Sequence, residues 1–150
     1  MKDHAKCPYC KASLKQYWQP LTPVLVYGLA KLRARVSIKG LNEVHLQNEI
    51  DLTKNEYNNF QKLRFHGLAR KVLQSDGTHK SGFWSITDKG NRFLNGTMKM
   101  PNKVKTFRNE IIEYSEEYVD IKDIIGDENY SQKIETIEFD IFTLDQTSFL

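Results

Sequence analysis

The sequence predicts an α+β fold, and three observations carry that prediction. Apolar residues at Leu25, Leu29, Leu32 and Val36 recur at helical spacing behind Thr22-Pro23. A threonine cap followed by proline at the first helical position is a helix start. A second start stands at Thr53-Lys54-Asn55-Glu56, with Thr at the cap and Glu three residues on. Beyond Gly67 the period changes, and two short apolar runs flank a glycine-bearing polar loop, as in a hairpin. At 150 residues the chain has room for one domain, or for a small domain with an appendage. With 39% hydrophobic and 27% charged residues, it has the balance of a globular protein and not of a disordered or fibrous one. No apolar run approaches the ~20 residues of a membrane span, and Met1-Lys2-Asp3-His4-Ala5-Lys6 does not open a signal peptide. Two cysteines, Cys7 and Cys10, cannot staple a fold, so an intracellular, cytoplasmic chain is expected.

In chain order, residues 1–19 form a short polar, aromatic and cysteine-bearing lead. The first helix ends at Ser37-Ile38-Lys39-Gly40. Residues 44–50 have room for two helical turns, and Asp51-Leu52 makes a tight link. The helix capped by Thr53 runs to about His66, with Gly67 placed for the left-handed C′ conformation. Its buried stripe is expected to be Tyr57, Phe60, Leu63 and, past the cap, Leu68. Two short helices joined by a tight turn form a helix-turn-helix pattern. Residues 69–75 and 83–86 read as the strands of a β-hairpin around the polar loop 76–82. Residues 87–94 form a short capped helix closed by Asn95-Gly96. After Pro101 come strand patterns at 104–107 and 111–114, a Ser115-Glu116-Glu117 turn, and a half-buried partner strand at 118–121. Asp127-Glu128-Asn129 is a break. Ile137-Glu138-Phe139-Asp140-Ile141 alternates apolar and acidic residues, which reads as one more strand or a segment that orders on a partner.

This order resembles a winged helix-turn-helix domain. Lys62-Leu63-Arg64-Phe65-His66-Gly67-Leu68-Ala69 is similar to a recognition helix running into a wing. The segment Ser85-Ile86-Thr87-Asp88-Lys89-Gly90-Asn91-Arg92-Phe93-Leu94 resembles the post-wing turn of MarR-type and related regulators. The resemblance spans residues 20–96 and leaves out the cysteine lead and the acidic end. As a whole the chain resembles small phage- or mobile-element-borne winged-helix proteins with an N-terminal CxxC zinc knuckle. The implied organisation is a CxxC knuckle at 1–19, a winged helix-turn-helix core at 20–100 and an acidic β-rich extension at 101–150.

Charge is divided unevenly. Residues 1–109 carry 20 Lys and Arg against 7 Asp and Glu, a net +13; residues 110–150 carry 2 against 12, a net −10. Such asymmetry points to a polyanion-binding part joined to an acidic one, or to two halves that dock on each other. Asn55, Asn58, Asn59 and Lys62 stand at i, i+3, i+4 and i+7, on one face of the Thr53-capped helix. Asn pairs with the major-groove edge of adenine and Lys with guanine or phosphate, so these four are the expected base-reading set. Arg70, Lys71 and Lys80 around the hairpin, with Lys31, Arg33 and Arg35 on the first helix, are the expected phosphate contacts.

Cys7-Pro8-Tyr9-Cys10 can form half of a tetrahedral zinc site. With no other cysteine in the chain, completion needs two of His4, His45, His66 and His79, or a second subunit's pair. The expected ligands are Cys7, Cys10, His4 and His66, around a structural zinc. The other readings are a plain surface turn for the cysteines and packing or surface positions for His45, His66 and His79. No nucleophile elbow, P-loop, dinucleotide loop or H-E-x-x-H is present, so no enzyme is expected. The acidic end would neutralise the basic part, mimic DNA charge, or dock a partner through Ile137, Phe139 and Ile141. Two functions follow as expectations. The first is a sequence-selective regulator bound to double-stranded DNA, as a monomer or homodimer. The second is an inhibitor that captures a host nucleoprotein through residues 110–150.

Overall fold

Strand β1 (Tyr17–Pro20) leads into α1 (Pro23–Lys39), the helix on which the other elements are assembled. The structure, a computed structural model, describes the backbone of residues 15–147 and side chains through Ile137. Thr22 Oγ1 accepts from the Leu25 N–H at 3.4 Å, and Pro23 occupies the first turn, where its missing donor costs nothing. Gly40, at φ +73°, ends the helix by donating its N–H to the Val36 carbonyl. Leu25, Leu29 and Leu32 are buried as their spacing predicts, with Val36 half-buried at the end of the line.

Residues 44–50 depart from the expected two-turn helix. Val44 and His45 form a short strand, β2 (Val44–His45), and only a single turn follows. A segment this short cannot nucleate an isolated helix, whereas Val44 and His45 find ladder partners in Trp84 and Phe83. Helix α2 (Lys54–Asn59) carries the expected capping box: Thr53 Oγ1 accepts from Glu56 N at 3.1 Å, and Glu56 Oε1 accepts from Thr53 N at 3.0 Å. Phe60 and Gln61 keep helical dihedrals but tighten the ladder to i→i−3 bonds before α3 (Lys62–Phe65). The inward line is Glu56, Phe60 and Leu63, not the expected Tyr57, Phe60 and Leu63; Tyr57 is 42% exposed. The capping box turns the Glu56 carboxyl inward, which leaves Tyr57, one residue further round the helix, at the rim.

Strands β3 (Ala69–Leu73) and β4 (His79–Ile86) form the hairpin, and β2 adds to it in the antiparallel order β2-β4-β3. Asp76 Oδ1 accepts both the N–H and the hydroxyl of Thr78, closing the tip beside Gly77 at φ +87°. Asn42 extends the sheet with its side chain, donating to the Ile86 carbonyl and accepting from the Ile86 N–H. Helix α4 (Asp88–Leu94) is capped by Thr87, whose hydroxyl accepts from Gly90 N and donates back to Gly67. Gly90 is obligatory there: a Cβ would run into the Leu68 carbonyl and the Ile86 side chain.

The rest of the chain is only partly β. Strands β5 (Met100–Pro101), β6 (Lys103–Phe107), β7 (Glu110–Tyr114) and β8 (Tyr118–Val119) pair as β1-β6-β7 and β5-β8. Arg108 and Asn109, at φ +54° and +66°, make the two-residue turn between β6 and β7. The expected partner strand at 118–121 pairs with β5 and stops at Val119, because Asp120 caps α5 (Ile121–Ile125). The expected strand or partner-ordered segment at 137–141 lies within α6 (Asp127–Thr147). Tyr130, Ile134 and Ile137 fall at i, i+4 and i+7 there and meet the core around α1. The acidic end is therefore not a β-rich appendage. Ile121, Ile125 and Ile134 are buried in one continuous cluster with Leu29, Leu32, Phe60 and Phe93. Among the described residues no helix is long and apolar enough to cross a membrane.

Glu56 also accepts from Lys31 Nζ at 2.7 Å, with the two side chains only 10% and 20% exposed. Replacing Glu56 with Ala removes the carboxylate half of the capping box and leaves the sheltered Lys31 ammonium with the Asp51 carbonyl but no counter-charge. A loss of about 3 kcal/mol is expected in urea unfolding.

Candidate nucleic-acid interface

The helix face singled out in the sequence turns outward. Phe60 and Leu63 anchor α2 and α3 from within, at 1% and 0% exposure, which leaves Asn55 and Asn58 exposed and Asn59 and Lys62 half-buried at the edges. Asn59 Nδ2 donates to the Asn55 carbonyl at 2.8 Å and to Asn55 Oδ1 at 2.9 Å, so this pair is held in place before any ligand arrives. The Asn58 side chain stands beside it with no hydrogen bond to a described residue.

The basic residues separate into two groups. Those of α1 are engaged with the fold: Lys31 holds Glu56 and the Asp51 carbonyl, and Arg33 donates to Asn95 Oδ1 at 2.6 Å. Arg35 lies near Glu49. Burial alone would raise the Glu49 carboxyl, but the His45 N–H, Lys39 Nζ and the charge of Arg35 outweigh it and hold the carboxyl below its usual range. The hairpin group is more open. Arg70 is exposed, its Nε 3.4 Å from Ser85 Oγ, and Lys71 is half-buried with Nζ 6.0 Å from the Trp84 ring centre. Lys80 pairs with Glu43 at 2.8 Å and lies over Phe83 at 4.3 Å. Arg70, Lys71 and Lys80 all lie on the hairpin, with Lys71 on the Trp84 side of the sheet and Arg70 and Lys80 on the other, whereas Lys31, Arg33 and Arg35 brace the long helix.

Between the α2–α3 segment and the β2-β4-β3 sheet lies a cavity of about 200 Å³ that sequence reasoning missed. Its walls include Tyr57, Phe60 and Trp84, with Gln47, Gln61 and Lys71 around them. Phe60 and Trp84 meet edge to face, centroids 5.2 Å apart at 82°, so that wall is rigid. Gly82, at φ +77°, gives the lining a close approach to His45: a Cβ there would sit 2.6 Å from His45 Nε2. The legible signal was the pair Tyr57 and Gln61, four apart, on a helix side with no apolar continuation.

Of the expected zinc ligands, Cys7, Cys10 and His4 lie outside the described residues. His66 is 2% exposed, and neither ring nitrogen has a hydrogen-bond partner among the described residues. Burial, helped by the nearby Lys89 ammonium, pushes its pKa from 6.5 down to about 4. These are the surroundings of a packed neutral imidazole, and a cation already stands beside it. Among the described residues no group of three His, Cys, Asp or Glu side chains is placed to hold a metal. His79 is exposed at the start of β4, and His45 Nδ1 accepts from the Asn48 N–H.

Set against known protein families, curated proteins and solved structures, the chain matches none.

His66 makes stability depend on pH. Between pH 6.5 and about 4 the unfolded chain takes up a proton that the folded chain refuses. The contribution is complete above pH 6.5 and is lost as pH falls through that window, by about 3 kcal/mol. Urea unfolding at pH 7 and pH 4.5 measures it. His66→Leu should fall less steeply with acid than the parent, and an equally steep fall would remove His66 as the cause.

Proposed function

We propose that the chain is a sequence-selective double-stranded DNA-binding protein of winged-helix type, acting as a regulator of transcription or replication. The observation that carries this reading is the outward face of α2–α3. Asn55, Asn58 and Asn59 on α2 and Lys62 at the start of α3 stand on a segment whose other side is anchored in the core, next to a hairpin bearing Arg70, Lys71 and Lys80. Topology supports it. A long helix, a short strand, a capped helix and a hairpin, with sheet order β2-β4-β3, are the parts such a domain would have. In this reading Asn58 and its neighbours meet base edges and the hairpin cations hold phosphates. A structural zinc at Cys7, Cys10 and His4 belongs to the proposal. His66 is enclosed by its own core, so the fourth ligand would come from elsewhere.

Fluorescence anisotropy on random and selected duplexes across a salt series tests the reading. Asn58→Ala should relax sequence preference while leaving binding to random DNA nearly unchanged. Arg70→Ala should weaken every sequence alike and flatten the log K against log salt slope by roughly 0.9. Equal losses from both changes on every duplex would overturn the assignment.

The acidic end cannot be tested by truncation, because Ile121, Ile125 and Ile134 are part of the core. Asp127, Glu128 and Glu135 are exposed on α6 and can be neutralised without touching it. If this end restrains non-specific binding, the triple Asn/Gln/Gln variant should bind random DNA several-fold tighter at low salt, with the gain fading as salt rises.

A further inference from the structure

We infer that the cavity beneath α2 and α3 receives a single unpaired nucleobase from a bound nucleic-acid strand. This deepens the DNA-binding reading and rests on it for the strand's approach. At about 200 Å³ the cavity is smaller than the roughly 300–1,000 Å³ of drug-sized sites, which suits one planar ring system. Trp84 and Phe60, at 4% and 1% exposure, form a wall that is already rigid, and Tyr57 stands at the mouth with 42% of its surface open. Of the three, Tyr57 has the open ring face on which a base can stack, and the packed Phe60–Trp84 pair forms the fixed apolar floor behind it.

The polar lining fits the same guest. The side chains of Gln47 and Gln61 and the hydroxyl of Tyr57 make no hydrogen bond to a described residue, and both amides offer a donor and an acceptor to the edge of a base. Lys71 has no carboxylate partner among the described residues, and no acidic side chain lines the cavity. An ammonium beside an aromatic wall suits the phosphate that accompanies the base. Gln61 and Lys62 are neighbours in sequence, as are Arg70 and Lys71, so the rim adjoins the proposed DNA-binding face. A strand held there would bring its bases to the mouth, which favours a base within a strand over a free nucleotide.

The test uses the full chain and three probes: a short duplex with one unpaired 2-aminopurine, the same duplex fully paired, and 2-aminopurine ribonucleoside monophosphate. Binding of the first should quench its fluorescence and be about tenfold tighter than binding of the paired duplex. Tyr57→Ala and Gln61→Ala, both at exposed positions, should abolish the quenching and the preference and leave paired-duplex affinity within about twofold. Melting curves confirm that both variants fold. Equal affinity for the two duplexes without quenching, or quenching that survives in both variants, overturns the inference and leaves duplex binding standing. The free monophosphate binding as tightly as the unpaired duplex also overturns it, by assigning the cavity to nucleotides. Binding of the unpaired probe alone supports the inference while the duplex reading falls, and binding of neither duplex overturns both.

Discussion

One carboxylate holds the α2 segment to the rest of the molecule. Glu56 Oε1 accepts from the Thr53 N–H and from Lys31 Nζ, so one group both starts α2 and ties it to α1. An ion pair this sheltered contributes little net stability, since desolvation offsets most of its attraction. What it does fix is register. With Glu56 turned inward, Phe60 and Leu63 follow at i+4 and i+7 and enter the core, and the asparagines are left outside. A shift of one residue in the helix start would rotate the face by about 100° and bury Asn59 where Phe60 now lies. The outward presentation of Asn55 and Asn58 depends on that one bond set.

The elements that were legible in the sequence are those set by local chemistry. Thr22-Pro23, Thr53 with Glu56, Thr87 with Gly90, and Gly67 each satisfy backbone groups within a few residues of themselves, so they can be read without knowing what packs against them. Residues 44–45 and 118–147 were not legible for the opposite reason. Val44 becomes a strand because Trp84 is opposite it, forty residues away. Ile137, Phe139 and Ile141 satisfy a period of two, while Tyr130, Ile134, Ile137 and Ile141 satisfy one near 3.6. Only the burial of Tyr130, Ile134 and Ile137 around α1 decides between them. Asn42, whose side chain completes the β4 backbone, left no sequence signal at all.

Of the candidate site, the helix face was legible and the cation set was only half so. Lys31, Arg33 and Arg35 have the composition of phosphate contacts, yet the structure gives them internal work against Glu56, Asn95 and Glu49. A count of basic residues cannot separate these uses, because a lysine that braces two helices and one that awaits a phosphate look alike in one dimension. The same holds for net charge. Residues 110–150 are strongly acidic, yet Val119, Ile121, Ile125 and Ile134 among them are buried in the core around α1. Described residues of the two oppositely charged parts thus share one hydrophobic cluster.

Tyr57 shows how the cavity follows from that capping geometry. On periodicity alone Tyr57 and Phe60 are equivalent candidates for the stripe. The capping box gives the inward position to Glu56, and a large aromatic side chain is then left at the rim, with no core to receive it. Filling the space behind Tyr57 would need a larger residue than Gly82, and none is available, because His45 already occupies the volume a Cβ at Gly82 would claim. A void lined by apolar groups alone would tend to collapse or stay dry. This one is rimmed by two amides, a phenol and an ammonium, groups that must be solvated or paired wherever they sit. Its persistence costs the fold little for that reason, and a ligand that replaces the water while meeting those groups would bind without rearranging the helix or the sheet.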